Sequence, residues 1–432
     1  MHIVEYCVVS SSPSLVLLIQ DSESPATFYK NTNIMITVEE AQNIIAKTIY
    51  DFGIEEIPFA QAVGRVLRED LFADRDLPPY HRVTMDGIAI QYQSFEKGNR
   101  NFKIEGIAPA GAPQMILQDG DNCLEVMTGS ILPKNTDTVI RYEDLEIKNG
   151  FVNVLLDILK NKQNVHRKGE DRLQYSKIVS AGKIISPAEI GVAATVGKSI
   201  LKVTRLPKAI IISTGDELVE IDEKPLAYQI RKSNVHRLKA TLKHHGITAN
   251  TAHLNDDMDE ILKELKVILE KYEVVIMSGG VSKGKFDFLP EALNSLGVQQ
   301  LFHKIKQRPG KPFWFGKSPT GAIVFALPGN PVSSFMCTQI HFVPWLKRCL
   351  QLPETIFPTA ILQRDTSFKP DLVYYLQVKT SYNNQGQILA MPVDGNGSGD
   401  LANLVDADAF LRLPRGKDFF EKGECFPIVF YR

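Results

Sequence analysis

Between residues 186 and 348, apolar runs of strand length alternate with segments whose apolar residues recur at helical spacing. No other feature limits the fold as much. The run AIIIS precedes a helical pattern from about Ser233 to His245, and ITANTAHL precedes one with Ile261, Leu262, Leu265, Ile268, Leu269 and Tyr272 on one side. VVIM, a helix around 288–296, AIVFAL and a helix beginning at Pro331 complete the series. Strands separated by crossover helices run parallel, so this region is expected to form an open, doubly wound α/β sheet.

Three of these strands run into loops of unusual composition: IIISTGDEL (210–218), VVIMSGGVSKGKFD (274–287) and VFALPGNPVSS (324–334). All three follow strand C-termini, the edge where open α/β sheets bind ligands, and glycines there let backbone N–H groups close on an anion. Gly215, Ser278, Gly279, Gly280 and Ser282 are therefore candidates to cradle a phosphate-like group, with Lys283 or Lys285 as counter-charge. Asp216, Glu217 and Asp287 would face the same crevice, and carboxylates beside phosphates imply a bridging hard cation such as Mg²⁺. The plainer readings stay open: Asp287 caps a helix, Asn330 caps the helix starting at Pro331, and Asp256 or Asp257 does the same further upstream.

A fourth cluster, KQRPGKPFWFGK (306–317), places Arg308 and Lys311 on either side of a Pro-Gly turn stiffened by Pro309 and Pro312. Such a turn suits an oxyanion; the alternative is a solvated basic hairpin.

The rest of the chain reads differently. Residues 63–150 show short β-like stretches broken by Gly, Pro and Asn, and residues 349–432 revert to short strands after Pro353. The segment ITVEEAQNIIAKTIYDFG opens with Thr37 and Glu40 as a capping box, carries Ala41, Ile44, Ile45 and Ile49 on one face and stops at Gly53. Met35 is then the expected natural start and residues 1–34 a disordered extension, since SLVLLIQ lacks the flanks of a secretory signal. In PPYHRVTMDGIAI (78–90), Asp86 falls at the opening of an apolar strand, where burial is costly unless the acid is bonded or functional. HRKGEDR (166–172) reads as a solvated charge run, and His81 as a structural histidine.

With 432 residues, 44% of them hydrophobic, the chain is too long for one typical domain. A formal charge of −1 argues against binding nucleic acid through broad electrostatics. Five scattered cysteines without a CxxC indicate neither a zinc site nor a disulfide framework and fit the reduced cytoplasm. The sequence has no run of about 18 apolar residues that would cross a membrane.

Taken in order, PPYHRVTMDGIAI, MTGSILP, HRKGEDR, STGDEL, QIRKSN, SGGVSKGKFD, RPGKP and LPGNPVS resemble the molybdopterin molybdenumtransferases, the MoeA and gephyrin E-domain family, over about 36–432. The resemblance implies a homodimer of elongated subunits. A split linker domain (35–62 and 151–185) would flank an inserted β-rich domain (63–150), followed by an α/β molybdopterin-binding domain (186–348) and a small C-terminal β-barrel-like domain (349–432). It implies an enzyme that inserts molybdenum from molybdate into adenylylated molybdopterin with Mg²⁺, releasing AMP. It further implies a transient contact with the molybdopterin adenylyltransferase, and no binding of nucleic acid or membrane. Carried over by position, the catalytic acids are Asp86, Asp171, Glu217, Asp256 and Asp287, with Thr128 the hydroxyl of the inserted domain. Arg308, Lys311 and Pro312 match the molybdate and phosphate pocket, and Ser398 in GNGSGD matches from the last domain. The metal's sulfur ligands would come from the pterin dithiolene. Three departures stand out: His-Arg-Val-Thr before Met85, where many relatives have Asp-Asn-Ser-Ala; the basic Lys283 and Lys285; and the extension at 1–34. A scaffold of the same fold is the alternative, which the retained acids disfavour. Pterin adenylylation or nucleotide hydrolysis is another, disfavoured because the adenylylating relatives consist of the α/β domain alone.

Overall fold

The structure, a computed structural model, describes residues 35–281 and 288–432. Ser282, Lys283, Lys285 and Asp287, together with 1–34, lie outside the described residues.

The alternating region forms a six-stranded sheet from β1 (Ala209–Thr214), β2 (Asn250–Leu254), β3 (Val274–Ser278), β4 (Gln299–His303), β5 (Trp314–Lys317) and β6 (Ile323–Leu327). The order across it is β2-β1-β3-β6-β5-β4. The first four are parallel, in register through pairs such as Ile211 with Ile276 and Ile276 with Phe325. Because β1 is flanked by β2 on one side and β3 on the other, the order reverses there and opens a crevice at the strand C-termini. At the far edge the turn of the basic cluster joins β4 to β5, which pair antiparallel, and Trp314 and Phe315 are buried in β5, which also pairs antiparallel with β6.

Helices α1 (Asn234–His244), α2 (Met258–Lys271) and α3 (Leu289–Ser295) connect strands, and α4 (Pro331–Cys337) leads out of β6. Alternate residues of each strand enter two cores. Ile211, Ile276 and Phe325 join one, and Ile212, Met277 and Ala326 the other, so the central strands are apolar throughout. Asp257 caps α2 by accepting from the amide of Glu260 at 2.9 Å, whereas Asp256 does not cap. A π-helical turn, Thr338–Phe342, carries α4 into the helix Val343–Cys349.

The helix Val38–Lys47 has the expected capping box. It ends at Thr48 rather than continuing through Ile49 to Gly53. Thr48 turns its hydroxyl back onto the Ile44 carbonyl at 2.8 Å, Ile49 is exposed, and the chain turns so that Phe52 packs edge-on to Trp345.

Ahead of the α/β sheet, Ile54–Pro58 pairs with Ile200–Thr204, and Leu67, Leu71, Val179, Ile185 and Leu201 share a small core. A second six-stranded sheet spans Gly87–Ile90 to Phe151–Val154 with a core of its own. At the C-terminus five strands close into a barrel, since Val373–Tyr382 pairs with both Ile388–Pro392 and Ala409–Leu413. This bears out the expected small β-barrel. The two-residue strand Gln307–Arg308 adds to the barrel alongside Val373 and Tyr374. Barrel residues Val373, Tyr375, Phe410 and Val429 pack into the same core as one face of the α/β sheet.

Among the described residues, no helix is long and apolar enough to cross a membrane.

Candidate active site

The ends of β1, β3 and β6 carry the glycine-bearing loops, and one asparagine ties two of them together. Asn234, the first residue of α1, donates its Nδ2 to the Ser278 hydroxyl at 2.9 Å and to the Gly329 carbonyl at 2.6 Å. Arg237, one turn on, donates to the Asn234 Oδ1 at 3.0 Å, which fixes the amide's orientation. Burial pushes the Arg237 guanidinium down to about 10, still charged at neutral pH. Sequence reasoning did not single out Asn234, although QIRKSN contained it.

The glycines here answer to steric need. A Cβ on Gly279, at φ +104°, would stand 2.8 Å from the Thr214 Oγ1 and 3.1 Å from its carbonyl oxygen. Its amide donates to Leu327 at 3.1 Å, so what Gly279 supplies is close approach and not a free donor. Gly215, at φ +121°, leaves room for the carboxylate of Glu217, whose Oε2 would lie 2.4 Å from an added Cβ. Asp216 accepts from the amide of Asp256 at 3.1 Å, which joins the β1 and β2 loops.

Between the sheet and the barrel lies a cavity of about 750 Å³. It is lined by Arg308, Lys311 and Pro312 from the turn before β5, by Asn330 and Ser333 at the start of α4, and by Ser398 from the barrel. The four expected substrate contacts Arg308, Lys311, Pro312 and Ser398 thus share one cavity, and Ser333, missed in the sequence, joins them. Among the described residues neither Arg308 nor Lys311 forms an ion pair, so both charges remain available to an anion. Asn330 sits at the N-cap of α4 without capping it; its amide donates to the Ser398 hydroxyl instead.

Asp86, Thr128 and Asp171 form a second group. The Asp86 Oδ1 accepts from the Thr128 amide at 2.6 Å and from its hydroxyl at 2.8 Å, and these bonds, the backbone one first, hold the carboxyl below its ordinary range. Asp86 is exposed as well as bonded, so it bears no burial cost: the strand begins only at Gly87, where an added Cβ would lie 1.9 Å from the Ile140 carbonyl oxygen. Asp171 lies 3.0 Å from the His166 Nε2, and the His166 Nδ1 is 3.0 Å from Arg82. His81 accepts from the Lys168 amide at 3.1 Å, in keeping with its structural reading. The strands bearing this group pair among themselves, apart from the α/β sheet.

Among the described residues no three His, Cys, Asp or Glu side chains cluster as a metal site. Asp216 and Glu217 alone would leave most positions around a cation to phosphate and water, which is how Mg²⁺ is commonly held.

Family models match nearly the whole described chain. The MoeA N-terminal region (domain I and II) matches residues 36–197, a probable molybdopterin binding domain matches 210–348, and the MoeA C-terminal region (domain IV) matches 359–431. A molybdopterin molybdenumtransferase from Synechocystis is 40% identical over 91% of this chain and 99% of its own length. One from Staphylococcus epidermidis is 28% identical over 91% of this chain and 95% of its own. The crystal structure of a molybdopterin biosynthesis MoeA protein from Pyrococcus horikoshii superposes with a TM-score of 0.79 at 26% identity, covering 92% of this chain and all of that one. With identity at this level along nearly its full length, this chain belongs to the MoeA family.

Proposed function

We propose that this protein is a molybdopterin molybdenumtransferase of molybdenum-cofactor biosynthesis, inserting molybdenum from molybdate into adenylylated molybdopterin with release of AMP. The observation that carries the reading is the cavity in which Arg308 and Lys311, without ion-pair partners among the described residues, meet Ser398 and the loop after β6. Two cations on a proline-stiffened turn offset the charge of a tetrahedral dianion at little conformational cost. The loops at Gly215 and at Ser278, Gly279, Gly280 and Ser282 would receive the pyrophosphate, with Asn234 tying the second of these to the Gly329 loop. Four described cysteines are free, three of them buried, which suits a reaction whose sulfur ligands come from the substrate.

Asp216 and Glu217, with Asp287, would hold Mg²⁺ against the pyrophosphate. When bound, the cation would offset charge on the phosphates as the AMP anhydride breaks. Asp256 would support this group through the hydrogen bond that its backbone amide donates to Asp216. Asp86, Thr128 and Asp171 lie in a part of the chain with its own sheets, which supports a homodimer in which they orient substrate bound to the partner subunit. The domain order expected from the sequence is carried forward, with Phe151–Val154 counted in the inserted domain and Leu67 and Leu71 in the linker domain. A transient contact with the adenylyltransferase and a cytoplasmic location follow from the substrate.

The test is AMP release from adenylylated molybdopterin, with and without molybdate and Mg²⁺. A requirement for both supports the reading. A folded protein that binds the pterin and releases no AMP would instead be a scaffold of this fold.

A further inference from the structure

Gln307 is wholly buried, although the next residue, Arg308, carries one of the cavity's two charges. Its Nε2 donates to the Gly310 carbonyl at 3.0 Å and to the Cys337 Sγ at 3.4 Å, and its Oε1 lies 3.0 Å from the His341 Nε2. The pattern determines itself. A carbonyl oxygen only accepts, so the amide NH₂ faces Gly310, its oxygen faces His341, and the histidine carries its ring proton on Nε2.

His341 is 1% exposed and sits in the π-helical turn Thr338–Phe342, which puts it behind the Arg-Pro-Gly-Lys-Pro turn. Burial pushes its imidazole down to about 3, so the ring is neutral, as one donor and one lone pair require. Gly310 fits against this network only as glycine: its φ is +83°, and a Cβ would lie 2.5 Å from the Cys337 Sγ and 3.0 Å from the Gln307 Nε2. On the other flank the Lys311 carbonyl accepts from the Ile305 amide at 3.0 Å.

We propose that Gln307 and His341 are positioning residues for the oxyanion turn. His341 sets the orientation of the Gln307 amide, whose N–H pins the Gly310 carbonyl and thereby aims Lys311 into the cavity. Gln307 also lines the cavity, but its amide is bonded to Gly310, Cys337 and His341, so it acts on the anion through the turn. The inference rests on the reading that this cavity receives molybdate.

The experiment is equilibrium dialysis of molybdate against the full-length protein, with folding checked by circular dichroism. Gln307→Met and His341→Phe keep volume and remove the bonds; each is expected to weaken molybdate binding about 10-fold. His341→Gln, which can place an N–H near the lost Nε2, should recover most of it. In the AMP-release assay the same variants should raise the KM for molybdate and leave that for the pterin unchanged. Should Gln307→Met not fold, Gln307→Glu sets a carboxylate against the Gly310 carbonyl and carries the same expectation. Equal binding by wild type and the Gln307 variant overturns the inference and leaves the functional reading standing. If His341→Gln binds no better than His341→Phe, the role given to His341 is overturned. A wild type that takes up no molybdate overturns both readings.

Discussion

The amide of Asn330 donates to the Ser398 hydroxyl across 2.8 Å and 68 residues of sequence, joining the loop after β6 to the C-terminal barrel. The bond lies on the wall of the cavity, and both residues line it. Ser398→Ala should therefore lower AMP release by at least about 10-fold while moving the urea midpoint little, since a partly solvated hydrogen bond contributes about 1 kcal/mol at most. Unfolding curves and turnover measured on one preparation separate the two effects.

Asn234 makes a stronger claim. Its amide serves Ser278 and Gly329 at once, so Asn234→Ala should cost about 1–3 kcal/mol of stability and lower kcat/KM sharply. Asn234→Asp should be at least as damaging, because it sets a carboxylate oxygen against the Gly329 carbonyl. Denaturant titration and turnover check both variants.

Gly279→Ala should destabilise by about 2–4 kcal/mol, from the contact with Thr214 together with a positive φ. Adding Thr214→Ala should restore only part of this. That substitution removes the hydroxyl at 2.8 Å but leaves the carbonyl at 3.1 Å and the backbone strain. Urea unfolding of the single and double variants gives the answer.

Thr128 holds the Asp86 carboxyl below its ordinary range through its amide first and its hydroxyl second. Thr128→Ala removes only the hydroxyl, so the Asp86 titration, followed by NMR, should move part of the way back up. The sign for stability follows: a depressed carboxyl contributes stability that is present above its unfolded pKa and lost as pH falls through the folded one. In the variant the loss should be smaller and should be complete at a higher pH.

Acid should also act through two histidines. Burial pushes His341 to about 3 and His245 to about 4, against an ordinary value of 6.5. Below pH 6.5 the unfolded chain takes up protons that these rings refuse, so stability should fall as pH drops from 6.5 towards 4. The slope is about 1.4 kcal/mol per pH unit for the wholly buried His341 and less for His245, which solvent partly screens. His341→Gln should flatten it by more than half, read from urea midpoints across this range.

What could be read from the sequence was local. The alternation that yields β1, β3 and β6, the capping box of Thr37 and Glu40, and the glycine loops each depend on neighbours within a few residues. Arg308, Lys311 and Pro312 are legible as one basic turn, and the structure brings Ser398 to them. Asn234, Gln307 and His341 were not legible, because their meaning lies in partners such as Ser278, Gly329, Gly310 and one another, 34 residues apart in the last case. β5 was obscured because Phe313, Trp314 and Phe315 sit inside a basic, proline-rich stretch, and pairing with β4 and β6 makes a strand of Trp314–Lys317.

The two-residue strand Gln307–Arg308 has a mechanical consequence. It is hydrogen-bonded into the barrel, while the core behind it is continuous with that of the α/β sheet. The barrel cannot tilt away without pulling the floor of the cavity with it, so the gap between the walls has a set width. An opening of set width sorts anions by size and shape, not by clasping them. Sulfate, smaller than molybdate and of the same charge, should fit loosely, whereas tungstate, nearly molybdate's size, should compete with it on even terms.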